Sequence, residues 1–323
     1  MRFVTSIVNL RSSSVALTVV VGLGAAMPAS MAAPTLSGAG ASFPAAIYLR
    51  WFQELSREGT LVNYQSVGSG AGIRQFTANS VDFGASDVPM TDKEIAAVKD
   101  GVVQIPMTAG AIAVAYNNPS CKLKLSQNQL AQIFLGTITN FSQLGCKPLP
   151  IKVVHRSDGS GTTANFTAHL AAISPVWSKG PGTGKSIAWP TGIGAKGNEG
   201  SASQISQVNG AIGYVEVAFV KGKLQAATLT NASGQAVAPT KQNEMQALSS
   251  ITLDSKLTGG NPNPAKGYPI VNLTWILLNK TGNGDKLDTL KKVFSYTLSD
   301  KAQALAPSLG YISLPSSILS KSR

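Results

Sequence analysis

The sequence predicts an α/β protein with largely parallel sheets, and three observations lead there. Short apolar, β-branched runs alternate with segments of helical period. Glycine–serine turns stand just ahead of several helical segments. The chain has 323 residues, 43% apolar and 13% charged, so it can bury sizeable cores and is long enough for two domains at about 150 residues each.

Taken in order, Ile47, Tyr48, Trp51, Phe52 and Leu55 recur at helical spacing and predict a helix with one buried face. Leu61–Tyr64 predicts a strand, and the glycine turn at Gly68–Gly72 leads into a helical segment over Ile73–Ala78. Thr91 with Glu94 is a capping box ahead of Ile95 and Val98. Ile112–Tyr116 and Ile151–His155 predict strands, separated by a helix-like stretch, Ser126–Phe134, that Ser126 can cap. Phe166–Ala171 predicts a further helix. Ala211–Val215 and Val271–Leu278 predict strands, and Leu287, Leu290, Val293 and Phe294 share a last amphipathic face. No low-complexity linker or repeat divides the chain, so two domains require it to cross between them more than once.

Residues 1–32 read as a secretory signal peptide. Arg2 and Arg11 precede an apolar stretch from Val15 to Met27, and small residues follow at Ser30, Ala32 and Ala33. That stretch is shorter than the ~20 residues that span a bilayer. No cysteine lies near the cleavage point, so no lipid anchor is expected there. The expected product is a periplasmic protein free in solution. Cleavage removes two arginines and no acids, lowering the formal charge from +12 to +10. The charge is dispersed, with Lys291-Lys292 the one adjacent Lys/Arg pair. Nucleic-acid binding, which favours a concentrated basic surface, is not expected; dispersed charge suits long-range steering of small anions.

Cys121 and Cys146 are the two cysteines, and in an oxidising compartment a structural disulfide between them is the default. A redox pair would prefer C-x-x-C spacing. With two cysteines and two histidines a zinc cluster is disfavoured, and no metal or cofactor is expected.

The chemistry concentrates where glycine and hydroxyl residues precede helices: Gly38–Pro44 with Ser42, Gly68–Gly72 with Ser69, and Arg156–Thr163 with Asp158, Ser160, Gly161 and Thr162. Such turns offer free backbone N–H groups, hydroxyl donors and the positive end of a helix dipole, which together suit an oxyanion. Two other glycine strings read as turns. Gly192–Gly197 satisfies G-x-G-x-x-G but lies far from a first strand-to-helix turn. Gly180–Ser186 approximates a P-loop, yet Lys179 stands where its first glycine belongs. No G-x-S-x-G elbow occurs, and neither His155 nor His169 is placed beside a serine in sequence, so no catalytic residue is expected.

Several blocks in order resemble the periplasmic phosphate-binding proteins of phosphate ABC transporters. They are Ser37–Pro44, Val62–Gly70, Val81–Asp87, Arg156–Thr162, Trp189–Asn198 and Gly210–Glu216. The likeness runs from about residue 35 to 240 and weakens beyond. It implies a type II two-lobed fold with the ligand in a cleft between lobes joined by two crossover strands. The first lobe would comprise residues 33–107 and 268–323, the second 108–267. The resemblance further implies that phosphate is held by Ser42, the Phe43 backbone, Ser69, Asp87, Arg156, Ser160, Gly161 and Thr162, with Asp158 pairing the arginine. It implies a monomeric, non-enzymatic receptor that delivers phosphate to a permease driven by a cytoplasmic ATPase.

Asp87 makes chemical sense in that set because a carboxylate can only accept a hydrogen bond. Phosphate at neutral pH still carries a proton to donate, whereas sulfate carries none. Sites built on one such bond reject the wrong analogue by roughly 10⁴–10⁵. Two other readings remain open at this point: a secreted phosphatase with a product site, and a phosphate scavenger or sensor without a transport partner.

Overall fold

The computed structural model describes residues 35–323, so the expected signal segment, 1–32, lies outside the described residues. The chain begins β1 (Thr35–Gly40), α1 (Ala45–Arg57), β2 (Leu61–Ser66), α2 (Ser69–Thr77), β3 (Phe83–Ser86) and α3 (Asp92–Ala96). A long strand, β4 (Val102–Tyr116), then leads into β5 (Lys124–Leu125), α4 (Gln127–Phe134), β6 (Lys152–Arg156), α5 (Gly161–Ile173) and α6 (Pro175–Lys179). β7 (Ile193–Ala195), α7 (Gly197–Gln207), β8 (Ala211–Glu216), β9 (Gln225–Ala226), β10 (Thr228–Thr230), β11 (Ala236–Val237) and α8 (Lys241–Leu248) follow. The chain returns through β12 (Val271–Asn279) to α9 (Leu287–Thr297) and two C-terminal helices, α10 (Asp300–Gln303) and α11 (Ser316–Ser322).

The main sheet runs β2-β1-β3-β12-β4-β8-β6-β7, with β9 also on β4, and β11-β10-β5 form a small second sheet. β1, β2 and β3 are parallel, as are β6, β7 and β8. Between these two parallel groups lie the antiparallel β12 and β4, which carry the chain from one to the other. Val102–Ala111 of β4 pairs with β12, whereas Ile112–Tyr116 pairs with β8. One strand thus belongs to two half-sheets, and each half-sheet with its helices forms one α/β lobe. The β12–β4 register shifts at Thr274/Trp275, where Trp275 faces Pro106. A proline has no N–H for the ladder, so a bulge is the accommodation expected there.

Each lobe has an aromatic core. Tyr48, Trp51 and Phe52 on α1 are buried, with Tyr48 5.4 Å from Tyr64 and Phe83 5.1 Å from Phe294 between ring centroids. In the other lobe Phe166 stacks on Tyr214 at 4.3 Å and meets Phe134 edge-on at 4.7 Å. Cys121 and Cys146 form a disulfide with Cα atoms 5.6 Å apart, enclosing α4 in its loop. The expected capping box forms at Thr91/Glu94, and Ser126, expected as a cap, forms a second capping box with Gln129.

Several elements differ from the sequence reading. β1 was legible only as a turn because its glycines hide a strand; a Cβ on Gly38 would collide with the Phe83 ring. α2 and α5 begin earlier than expected, at Ser69 and Gly161, because their glycines lie inside the first helical turn. At Gly72 a side chain would strike the Gly40 backbone, so close helix–strand packing outweighs the poor helix propensity of glycine. Leu287, expected on the buried face of α9, is 40% exposed at its N-terminus.

Candidate functional site

The turns singled out from the sequence meet where parallel strands end and helices begin, the usual ligand position in α/β sheets. Ser42 and Phe43 lie between β1 and α1, Ser69 opens α2, and Asp87 follows β3. Arg156 ends β6, and Ser160 caps α5, whose first residues are Gly161 and Thr162. The first group comes from one lobe and the second from the other. They touch: the Gly161 N–H donates to Ser69 Oγ at 3.1 Å, and the Gly70 N–H donates to the Gly159 carbonyl at 2.8 Å. Ser42, Ser69, Asp87, Arg156, Ser160 and Thr162 are all buried, between 0% and 4% exposed.

A guanidinium and a carboxyl set the electrostatics. Arg156 donates from Nε to Asp158 Oδ1 at 2.7 Å and from Nη2 to Asp158 Oδ2 at 2.5 Å. This fork holds the guanidinium plane, while its buried Nη1 has no hydrogen-bond partner among the described residues. Asp158 also accepts from the Gly197 N–H at 3.0 Å. Partial burial pushes the Asp158 carboxyl up, but the bond and charge of Arg156 win and hold it below the usual carboxylate range. Asp87 stands the other way. Burial pushes its carboxyl up to about 7, against the Thr274 hydrogen bond, the Arg156 charge and weaker bonds from Thr162 and Ser69. Thr274 Oγ1 donates to Asp87 Oδ1 at 2.9 Å; Thr162 and Ser69 approach Oδ2 at 3.5 Å each.

The result is a cluster of donors around one carboxyl: the hydroxyls of Ser42, Ser69, Ser160, Thr162 and Thr274, an unpaired guanidinium nitrogen and the N-terminal turns of α1, α2 and α5. Such a set can bind a dehydrated tetrahedral oxyanion and present one acceptor to it.

Four polar residues at the site escaped the sequence reading. Asn198 opens α7 and donates to both Ser42 and Thr162. Thr274 comes from β12, a strand read only for its apolar character. Tyr214 on β8 accepts from the Arg156 N–H at 3.1 Å, and Asn165 donates to the Asp87 carbonyl at 2.8 Å. The signal for Asn198 was in hand: it follows Gly197, the last glycine of the string read as a turn, which instead spans β7 and the start of α7. The histidines serve packing: His155 stacks on Trp189 at 4.9 Å, and buried His169 bonds the Pro262 carbonyl at 2.7 Å, with burial lowering it to about 4.

A domain model described as a PBP superfamily domain matches residues 26–301. The chain is 41% identical to the phosphate-binding protein PstS of Haemophilus influenzae, covering 89% of this chain and 91% of that one. It is 38% identical to PstS of Pasteurella multocida, over 90% and 89% respectively. Among solved structures, a phosphate-binding protein from Stenotrophomonas maltophilia superposes with a TM-score of 0.72 at 20% identity, covering 89% of this chain and 92% of that one.

Proposed function

The chain belongs to the PstS phosphate-binding proteins within the PBP superfamily, and on that premise we propose that it is an exported, non-enzymatic receptor for inorganic phosphate that serves an ABC permease. Its two lobes are those of the type II fold, with 33–107 and 268–323 in the first and 108–267 in the second. Phosphate is held by Ser42, the Phe43 backbone, Ser69, Asp87, Arg156, Ser160, Gly161 and Thr162, with Asp158 steering the arginine. The signal peptide is cleaved, the mature protein is a periplasmic monomer without a lipid anchor, and the closed form is what the permease recognises.

The observation that carries this reading is the buried Arg156, two of whose nitrogens are committed to Asp158 while Nη1 has no acceptor among the described residues. A buried cation without full compensation is costly, and an oxyanion between the lobes supplies the missing partner. Asp87 then tells phosphate from sulfate. When ionised it accepts the phosphate proton, and it faces sulfate with like charge and no donor.

The test is calorimetry on mature protein unfolded and refolded in phosphate-free buffer, at about pH 8 so that Asp87 is ionised. Phosphate should bind one to one and tightly, and excess sulfate should not displace it. Equal competition by sulfate, or hydrolysis of phosphate esters by the same preparation, would overturn the reading.

A further inference from the structure

We infer that Asn198 is a positioning residue that sets the polarity of the binding site, by leaving the Ser42 hydroxyl only donation and turning the Thr162 hydroxyl toward it. The inference rests on the reading of the cleft as an oxyanion site. A hydroxyl has one proton and two acceptor lone pairs, and its rotation leaves the choice of role open. At a site that must meet a dehydrated anion, a hydroxyl turned to accept is repulsive.

The site removes that freedom from behind. Ser69 Oγ accepts from the Asp87 N–H at 3.2 Å and the Gly161 N–H at 3.1 Å, which fills both lone pairs and leaves only donation. Ser160 Oγ accepts from the Thr163 N–H at 3.1 Å as the cap of α5. For Ser42 and Thr162 the same task falls largely to one amide. Asn198 donates to Ser42 Oγ twice, from its backbone N–H at 3.0 Å and from Nδ2 at 3.0 Å, so both Ser42 lone pairs are taken. Nδ2 also donates to Thr162 Oγ1 at 3.3 Å.

The orientation of the amide is itself determined. Asn198 Oδ1 accepts from the Glu216 N–H of β8 at 2.8 Å. Flipping the amide would set two donors against each other there and would draw the Ser42 proton back onto Oδ1, so the Glu216 N–H fixes Nδ2 toward the hydroxyls. Asn198 is fully buried, so water cannot replace these bonds. Ser42 comes from one lobe and Thr162 and Asn198 from the other, so the Asn198–Ser42 bonds form across the cleft. Polarity and closure are thereby coupled.

The test is a double-mutant cycle read by phosphate titration, with thermal unfolding confirming that each variant is folded. Asn198→Ala should weaken phosphate about tenfold in the wild-type background. In a Ser42→Ala, Thr162→Val background the same substitution should cost less than twofold, because the hydroxyls it orients are gone. A cost of equal size in both backgrounds would mean that Asn198 shapes the loop or touches the anion itself, and overturns the proposal. Asn198→Asp keeps the bond from Glu216 and puts an acceptor where Nδ2 stood. It should cost at least 100-fold, more than the alanine, and a smaller cost than alanine also overturns it. If Asn198→Ala does not fold, the Asp variant is compared across the same two backgrounds with the same criterion. A wild type that binds neither phosphate nor sulfate overturns both this proposal and the proposed function, whereas a binding wild type with an uncoupled cycle overturns this proposal alone.

Discussion

Asp87→Asn should remove a pH-dependent instability from the phosphate-free protein. The ordinary value of this carboxyl is 3.8, and burial beside too few compensating donors raises it to about 7 in the folded chain. Between those values the folded protein keeps a proton that the unfolded chain has released, so this group makes stability fall as pH rises, with the loss complete just above 7. At 1.36 kcal/mol per pK unit the whole penalty is about 4 kcal/mol, of which about 2.5 kcal/mol accrues between about pH 5 and pH 8. A domain of this size shifts by roughly 2 °C per kcal/mol, so the wild type should lose about 5 °C relative to the variant over that range. The assay is the difference in melting temperature between the two proteins, stripped of phosphate, across the pH series. Glu216 is pushed up chiefly by burial, which both proteins share and which cancels in the difference; only the smaller contribution of the Asp87 charge is lost in the variant. Any fixed cost of fitting an amide beside Thr274 cancels in the slope as well. A difference that stays flat, or shrinks as pH rises, would refute the claim that Asp87 is a desolvated carboxyl.

The remaining predictions concern the anion and the frame around it. Arg156→Ala strands Asp158 in a largely buried setting and removes the cation, so titration should show phosphate at least 100-fold weaker, from the roughly 3–5 kcal/mol cost of breaking a buried pair; a loss under tenfold would place the anion elsewhere. Gly161→Ala would put a Cβ 2.6 Å from Ser69 Oγ and 2.7 Å from Asp87 Cβ, across the contact between lobes. This variant should melt normally yet bind phosphate at least tenfold more weakly and stay expanded in small-angle scattering with phosphate present. Replacing both Cys121 and Cys146 by serine opens a loop of 25 residues. On the chain-entropy model this costs about 3.5 kcal/mol, or about 7 °C, and calorimetry should find phosphate affinity unchanged.

Much of this protein follows from its sequence alone, where the determining physics is local. Ile47, Tyr48, Trp51, Phe52 and Leu55 announce α1 because helical period and burial coincide there. Ser126 and Thr91 announce their helices because a cap needs only residues three apart. The glycine–hydroxyl turns at Ser42, Ser69 and Ser160 were legible for the same reason: glycine, hydroxyl and helix start are neighbours in the chain. The tertiary structure decided what depends on distant segments. Only the two-lobed sheet brings Ser69 against Gly161, 92 positions away, and Thr274 of β12 against Asp87, 187 positions away. Asn198 looks in sequence like a polar residue after a glycine turn, and its role arises only once Ser42, Thr162 and the Glu216 N–H surround it. The Asp87 carboxyl follows the same rule: its residue type is in the sequence, but its rise to about 7 comes from burial, a property of the folded chain.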